Sequence, residues 1–143
     1  EYAWCYSKGK KFLFNGDDVR IERKVKNNIR NGKNYTKGTI PTCVWEKNNH
    51  TTSKDFCGWH PTTKNLDILE RIIRAYTNEN DTVLDIFMGS GSTAIASMLN
   101  KRNYLGCELD PNYNKLMKER ISSYATNRTG TVQQPNPILS AIA

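Results

Sequence analysis

The sequence predicts an α/β fold with parallel strands in a Rossmann-like sheet, and three observations carry that prediction. Thr82-Val-Leu-Asp85 is an apolar run ending in an acid, Gly89-Ser-Gly91 turns the chain tightly, and Ser92 to Leu99 continues as a small-residue helix. Tyr104-Leu-Gly-Cys-Glu108 repeats the pattern of a strand ending in an acid. Asp110-Pro111 then opens another helix, with an acid at the N-cap and proline in the first turn. Strand, helix, strand and helix within residues 82–124 call for parallel strands joined by a crossover.

Taken in order, Glu1-Tyr-Ala-Trp-Cys-Tyr-Ser7 is rich in aromatics and reads as a strand buried on at least one face, within a first segment of residues 1–14. The first six residues lack an initiator Met and read as the middle of a longer chain. Residues 15–39 hold few apolar side chains and no sustained period, which predicts a long irregular stretch. Thr39 to Glu46 returns to strand-like composition, and Lys47 to Gly58 is a polar loop. Residues 15–58 thus form a basic, loop-rich segment.

A third segment, residues 59–125, begins with the compact turn Trp59-His-Pro-Thr-Thr-Lys-Asn65. It leads into a helix over about 66–76, with Leu66, Leu69, Ile72, Ile73 and Tyr76 on one face. Asn65 is placed to cap it, and Asp67 and Glu70 lie where the helix dipole favours acids. Asn78-Glu-Asn-Asp81 turns into the strand Thr82 to Asp85. The helix expected over 111–124 buries Leu116, Met117, Ile121 and Tyr124, and residues 126–143 form a loose tail.

Charge divides the chain. Of 143 residues with a formal net charge of +7, residues 1–58 carry twelve Lys and Arg against six Asp and Glu. The remainder is nearly neutral, with nine against eight. A basic front half beside a neutral pocket half suits an acidic polymer on one side, although a solvated surface has the same composition. Arg20, Arg23, Lys24, Lys26, Arg30 and Lys33 are the cations placed to follow a phosphate backbone. No run of 18 or more apolar residues is present, so no transmembrane helix is expected. The four cysteines are irregularly spaced without C-x-x-C, and neither they nor His50 and His60 form a metal-ligand pattern. Reduced thiols in an intracellular protein, with no metal, are the expectation.

A parallel α/β unit presents ligands at the carboxyl ends of its strands. Asp85 with its glycine turn, Glu108 and the His60–Lys64 turn all belong there. Glu108 follows Asp85 by 23 residues, close to the spacing at which an acid accepts both hydroxyls of a ribose. Gly89-Ser-Gly-Ser-Thr-Ala94 also satisfies G-x-G-x-x-A, which admits a nicotinamide- or flavin-binding domain. Against that reading, Asp85 before the turn is poorly placed for a pyrophosphate and well placed for an ammonium.

Three stretches together are more specific. His60-Pro-Thr-Thr-Lys-Asn-Leu-Asp-Ile-Leu-Glu-Arg-Ile-Ile73, Asp85-Ile-Phe-Met-Gly-Ser-Gly-Ser-Thr93 and Gly106-Cys-Glu-Leu-Asp-Pro-Asn-Tyr113 resemble the C-terminal half of the DNA amino-methyltransferases. Their order resembles that of the permuted β group. The resemblance covers residues 39–124, and Glu1 to Lys8 also resembles a late strand of that fold. It implies the C-terminal portion of a Rossmann-like, S-adenosylmethionine-dependent methyltransferase fold. It further implies site-specific methyl transfer to the exocyclic amino group of a DNA base, adenine favoured over cytosine.

By the same resemblance, Asp85 faces the methionine ammonium, and Phe87, Gly89, Ser90, Gly91 and Thr93 wrap the methionine and sugar. Glu108 takes the ribose hydroxyls, while His60, Thr62 and Lys64 line the methionine end. Ile86 and Asn65 stand where the family usually has proline. The family's Asp/Asn/Ser-Pro-Pro-aromatic motif, which holds the extruded base, is absent, since none of the five prolines are adjacent. No catalytic residue is therefore assigned, and the isolated chain is expected to be inactive. The implied partners are double-stranded DNA and the N-terminal half of the same protein, in the cytoplasm of a bacterial or phage-infected cell. The alternatives are an inactive remnant that binds cofactor or DNA, and the nicotinamide-binding domain.

Overall fold

The computed structural model describes residues 3–22, 29–30, 33–34, 38–45 and 55–127. The elements run β1 (Ile29–Arg30), β2 (Lys33–Asn34), α1 (Leu66–Tyr76), β3 (Thr82–Asp85), α2 (Ser92–Leu99), β4 (Asn103–Gly106) and α3 (Pro111–Asn127), with a 3-10 turn at Gly16–Val19 before them.

β3 and β4 pair in parallel, from Thr82 opposite Asn103 to Asp85 opposite Gly106. This is the arrangement expected when a helix must carry the chain back between two strands. α2 makes that crossover and packs on both strands and on α1. Its Ala94, Ile95 and Ala96 are wholly buried beside Leu66, Ile73, Met88, Met117 and Ile121. Small side chains let α2 approach closely, while Ile95 adds about 1.5–3 kcal/mol of apolar burial. Along β3 the side chains alternate as a pleated strand requires. Val83 packs on the core, whereas Leu84 is 62% exposed on the opposite face.

Caps set the helix bounds. The Asn65 side chain accepts from the Ile68 backbone N–H at 3.4 Å. Thr77 closes α1 by donating both its backbone N–H and its hydroxyl to the Ile73 carbonyl. Asn15 reaches across to the same end: its N–H donates to the Ala75 carbonyl, and its side-chain amide to the carbonyls of Arg74 and Thr77. These bonds satisfy carbonyls that the last turn of a helix leaves without partners. At the start of α3, Asp110 Oδ1 accepts from the N–H groups of Asn112 and Tyr113, the capping role its sequence position implies.

Several expectations are corrected. The strand expected over residues 1–7 is not formed among residues 3–7, where Trp4 and Tyr6 are 79% and 88% exposed. A strand needs a neighbour for its ladder bonds, and these residues have none among the described ones. Residues 39–45 are likewise not a strand; only Thr39 pairs, in a single bridge to Ile21. Within the stretch expected to be irregular or weakly structured, the short antiparallel β1–β2 pair forms. β4 ends at Gly106, leaving Glu108 in the following loop, and α3 runs to Asn127. Residues 128–143 of the tail, residues 47–54 of the polar loop and Glu46 lie outside the described residues.

Candidate functional site

The site is built from the carboxyl ends of β3 and β4 and from the turn before α1. β3 ends at Asp85, whose half-buried carboxylate accepts from the Phe87 N–H at 3.0 Å, folding the chain back over the strand end. Met88 donates its N–H to the Cys107 carbonyl, which carries the parallel pairing past the last strand residue. The chain then turns through Met88 to Gly91, closed by the Gly91 N–H on the Met88 carbonyl at 2.8 Å.

Both glycines are required here, for different contacts. Gly89 has φ +49, and a Cβ on it would lie 2.8 Å from His60 Nε2. Gly91 has φ +76, and its Cβ would lie 2.8 Å from Met117 Cγ on α3. Only glycine adopts such backbone without cost. Gly89 thus admits a ring from the α1 side, and Gly91 admits α3.

Glu108 reaches the turn from the β4 side. One carboxylate oxygen accepts from the Gly89 N–H at 2.7 Å, and the other from the Asp110 N–H at 3.0 Å. A carboxylate has about four acceptor positions, so two such bonds orient it and leave capacity for further donors. His60 lies against Gly89, its Nδ1 accepting from the Thr62 N–H at 3.3 Å. Its ring meets Tyr113 edge-on at 4.8 Å, and Trp59 flanks the pair at 6.0 and 6.2 Å.

Gly89, Glu108 and His60 therefore meet at one turn, with Asp85 at the strand end that leads into it and Thr62 held to His60 Nδ1. Other residues of the expected set differ in placement. Phe87 is 83% exposed, and Lys64 is exposed one residue before the α1 cap. Ser90 is only 4% exposed, and its hydroxyl is hydrogen-bonded to that of Ser92 at 3.0 Å. The turn geometry directs that hydroxyl inward, so the Ser90 side chain does not line the open face. Gly91 is buried under α3 and serves packing, and Thr93 is half-buried in the first turn of α2.

Of the cations expected along a phosphate backbone, Arg20 pairs with Asp17 at 2.7 Å and reaches the Gly38 carbonyl. Arg30 and Lys33 are register partners across β1 and β2. Arg23, Lys24 and Lys26 lie outside the described residues. Among the described residues no helix is long and apolar enough to cross a membrane.

Two residues escape the sequence reading. Asp55 is buried and accepts from the Leu66 N–H, reinforcing the start of α1 from eleven residues upstream. Arg120 donates to the Ser90 carbonyl, the Ser92 hydroxyl and the Asp55 carbonyl. A signal for Arg120 exists: it shares the helical spacing of Met117, Ile121 and Tyr124, so a cation sits on the apolar face.

Comparison with known proteins adds three findings. A family model described as DNA methylase matches residues 1–119. The chain is 36% identical over 125 residues to the type II methyltransferase M1.MboII of Moraxella bovis, spanning 76% of this chain and 48% of that protein. It is 31% identical over 135 residues to the DNA adenine methyltransferase YhdJ of Escherichia coli K12, spanning 87% of this chain and 46% of that protein. The chain thus spans about half the length of these curated relatives. Among solved structures it is similar to M1.HpyAVI in complex with SAM, at 46% identity and a TM-score of 0.42 over 43% of this chain and 32% of that one.

Proposed function

The chain belongs to the DNA methylase family matched over residues 1–119, and from that premise we propose that it supplies the S-adenosylmethionine site of an enzyme that methylates an exocyclic amino group in DNA. The convergence of three separate stretches on Gly89 carries the proposal. Glu108 bonds its N–H, the His60 ring fills the space a Cβ would take, and Asp85 ends the strand leading into it.

The donor set fits the cofactor. S-adenosylmethionine is cationic at its ammonium and sulfonium and carries a ribose diol, and the site offers two carboxylates and a close-approach glycine turn. Asp85 accepts hydrogen bonds from the ammonium, and Glu108, oriented by Gly89 and Asp110, accepts from the ribose hydroxyls. Charge-assisted bonds of this kind are about twice as strong as neutral ones. His60 and Thr62 border the methionine end, with Lys64 supplying a compact charge for its carboxylate. When bound, the cofactor supplies a methyl group on sulfonium, activated toward an amino nitrogen.

The target base must be extruded and held before transfer, and the Pro-Pro-aromatic tetrapeptide for that task is absent from these 143 residues. The N-terminal half of the whole enzyme supplies it, and this chain alone does not turn over. Adenine is the proposed base, in keeping with the adenine methyltransferase relative. The basic segment around Arg20, Arg23, Lys24, Lys26, Arg30 and Lys33 contacts duplex phosphates, and the enzyme works in the bacterial cytoplasm.

Calorimetric titration of the chain with S-adenosylhomocysteine and with NAD tests the cofactor site. The first is expected to bind and the second to give no heat; the reverse result overturns the reading. Methyl transfer to unmethylated duplex DNA by the chain alone would overturn the proposed division between its two halves.

A further inference from the structure

We infer that Arg120 is a positioning residue for the cofactor turn, holding the Ser90–Ser92 backbone in the arrangement that sets Gly89 and, through it, Glu108. The inference rests on the cofactor reading above. From the middle of α3, one terminal nitrogen of Arg120 donates to the Ser90 carbonyl at 2.7 Å and to the Ser92 hydroxyl at 3.0 Å. The other donates to the Asp55 carbonyl at 2.9 Å, and the guanidinium carbon lies 5.7 Å from the centre of the Tyr124 ring.

These acceptors belong to two segments that must meet for the site to exist. Ser90 lies in the turn after β3 and Ser92 opens α2, while Asp55 precedes the His60 turn. Ser90 is 4% exposed, so its carbonyl has little access to water and depends on a protein donor. The peptide linking Ser90 to Gly91 is gripped at both edges: its carbonyl by Arg120 and its N–H by the Met88 carbonyl. One residue earlier, the Gly89 N–H is the donor that orients Glu108. Removing Arg120 frees one edge of that peptide, and the turn can rotate away from Glu108 while the strands stay paired. A lysine replaces it only in part, because a point donor lacks the planar fork that spans three acceptors on two segments.

The test combines amide hydrogen exchange of the ligand-free chain with S-adenosylhomocysteine titration of Arg120→Gln, Arg120→Lys and Ser92→Ala. Arg120→Gln should raise exchange at residues 89–93 about tenfold, the scale of one charge-assisted hydrogen bond. β3 and the C-terminal turn of α1 should keep their protection. Affinity should fall by a similar factor, with Arg120→Lys recovering only part of both losses. Ser92→Ala, which removes one of the three acceptors, should raise exchange at the same residues by a smaller factor. Unchanged exchange at the turn, or an equal rise in β3 and α1, overturns the inference. Should Arg120→Gln fail to fold, Ser92→Ala decides: a rise confined to the turn supports the positioning role, and none overturns it. Failure of the wild-type chain to bind S-adenosylhomocysteine would instead remove the cofactor reading and the inference with it. The exchange pattern, read without ligand, tells the two failures apart.

Discussion

An arginine stands beside each end of the parallel β3–β4 pair, and the two ends have opposite outcomes. Immediately before β4, Arg102 is buried, donating to the Thr77 hydroxyl and carbonyl at 3.0 and 2.6 Å and to the Asn100 carbonyl at 2.6 Å. Asn15 donates to the same Thr77 carbonyl and to that of Arg74. At the far end Arg120 ties together the glycine turn and the Asp55 segment, but the Asp85 and Glu108 carboxylates stay half-buried and Phe87 projects outward. Both guanidiniums satisfy backbone carbonyls. One closes a scaffold, and the other frames an opening. An arginine on a carbonyl therefore says nothing about function until the groups beside it are known.

The largest effect that would sharpen this contrast is expected at the closed end. Arg102→Ala removes the three hydrogen bonds of a buried guanidinium, to the Thr77 hydroxyl and carbonyl and to the Asn100 carbonyl, at a cost of about 3 kcal/mol in unfolding free energy. Urea denaturation measures it, and S-adenosylhomocysteine affinity of the folded protein should be unchanged. At the open end Asp85→Ala should do the reverse. Affinity falls by about 2–3 kcal/mol, roughly thirty- to a hundred-and-fiftyfold, with stability within about 1 kcal/mol of wild type. A variant that lost both properties at either end would break the comparison.

Gly91→Ala tests the packing beneath the open end. Its φ of +76 and the approach to Met117 and Ile121 should cost about 2 kcal/mol of stability, read from a thermal melt. The smallest effect concerns Tyr104, midway along β4, whose phenol burial pushes above its ordinary 10.0. The folded protein then holds that proton more tightly than the unfolded chain. Stability from the buried neutral phenol is complete below pH 10 and is lost as pH rises toward the folded value. Melts at pH 9 and 11 should show the decline in wild type and a shallower one in Tyr104→Phe.

The bounds of α1, β3 and α2 were legible because each is coded locally: an Asn cap, an apolar run, a glycine turn followed by small residues. Residues 3–7 and 39–45 misled for the complementary reason. Aromatic and β-branched composition states that a segment can be a strand, but pairing depends on a neighbour elsewhere in the chain. The same distinction runs through the site. Asp85, Gly89, Glu108 and His60 were named from motif spacing, whereas the inward turn of the Ser90 hydroxyl was not, because strand order leaves the rotation of a turn open.

By itself the sequence determined the parallel α/β unit, its helix caps and the set of residues that can meet at the strand ends. Periodicity and capping act over a few residues, within reach of a linear reading. Only the tertiary structure decided which groups join. Gly89 meets Glu108 and His60, Gly91 admits α3, and Arg120 closes on carbonyls from two distant segments. Motif spacing brings these residues near one end of the sheet, but the contacts themselves depend on helix-to-sheet packing, which a linear reading does not carry.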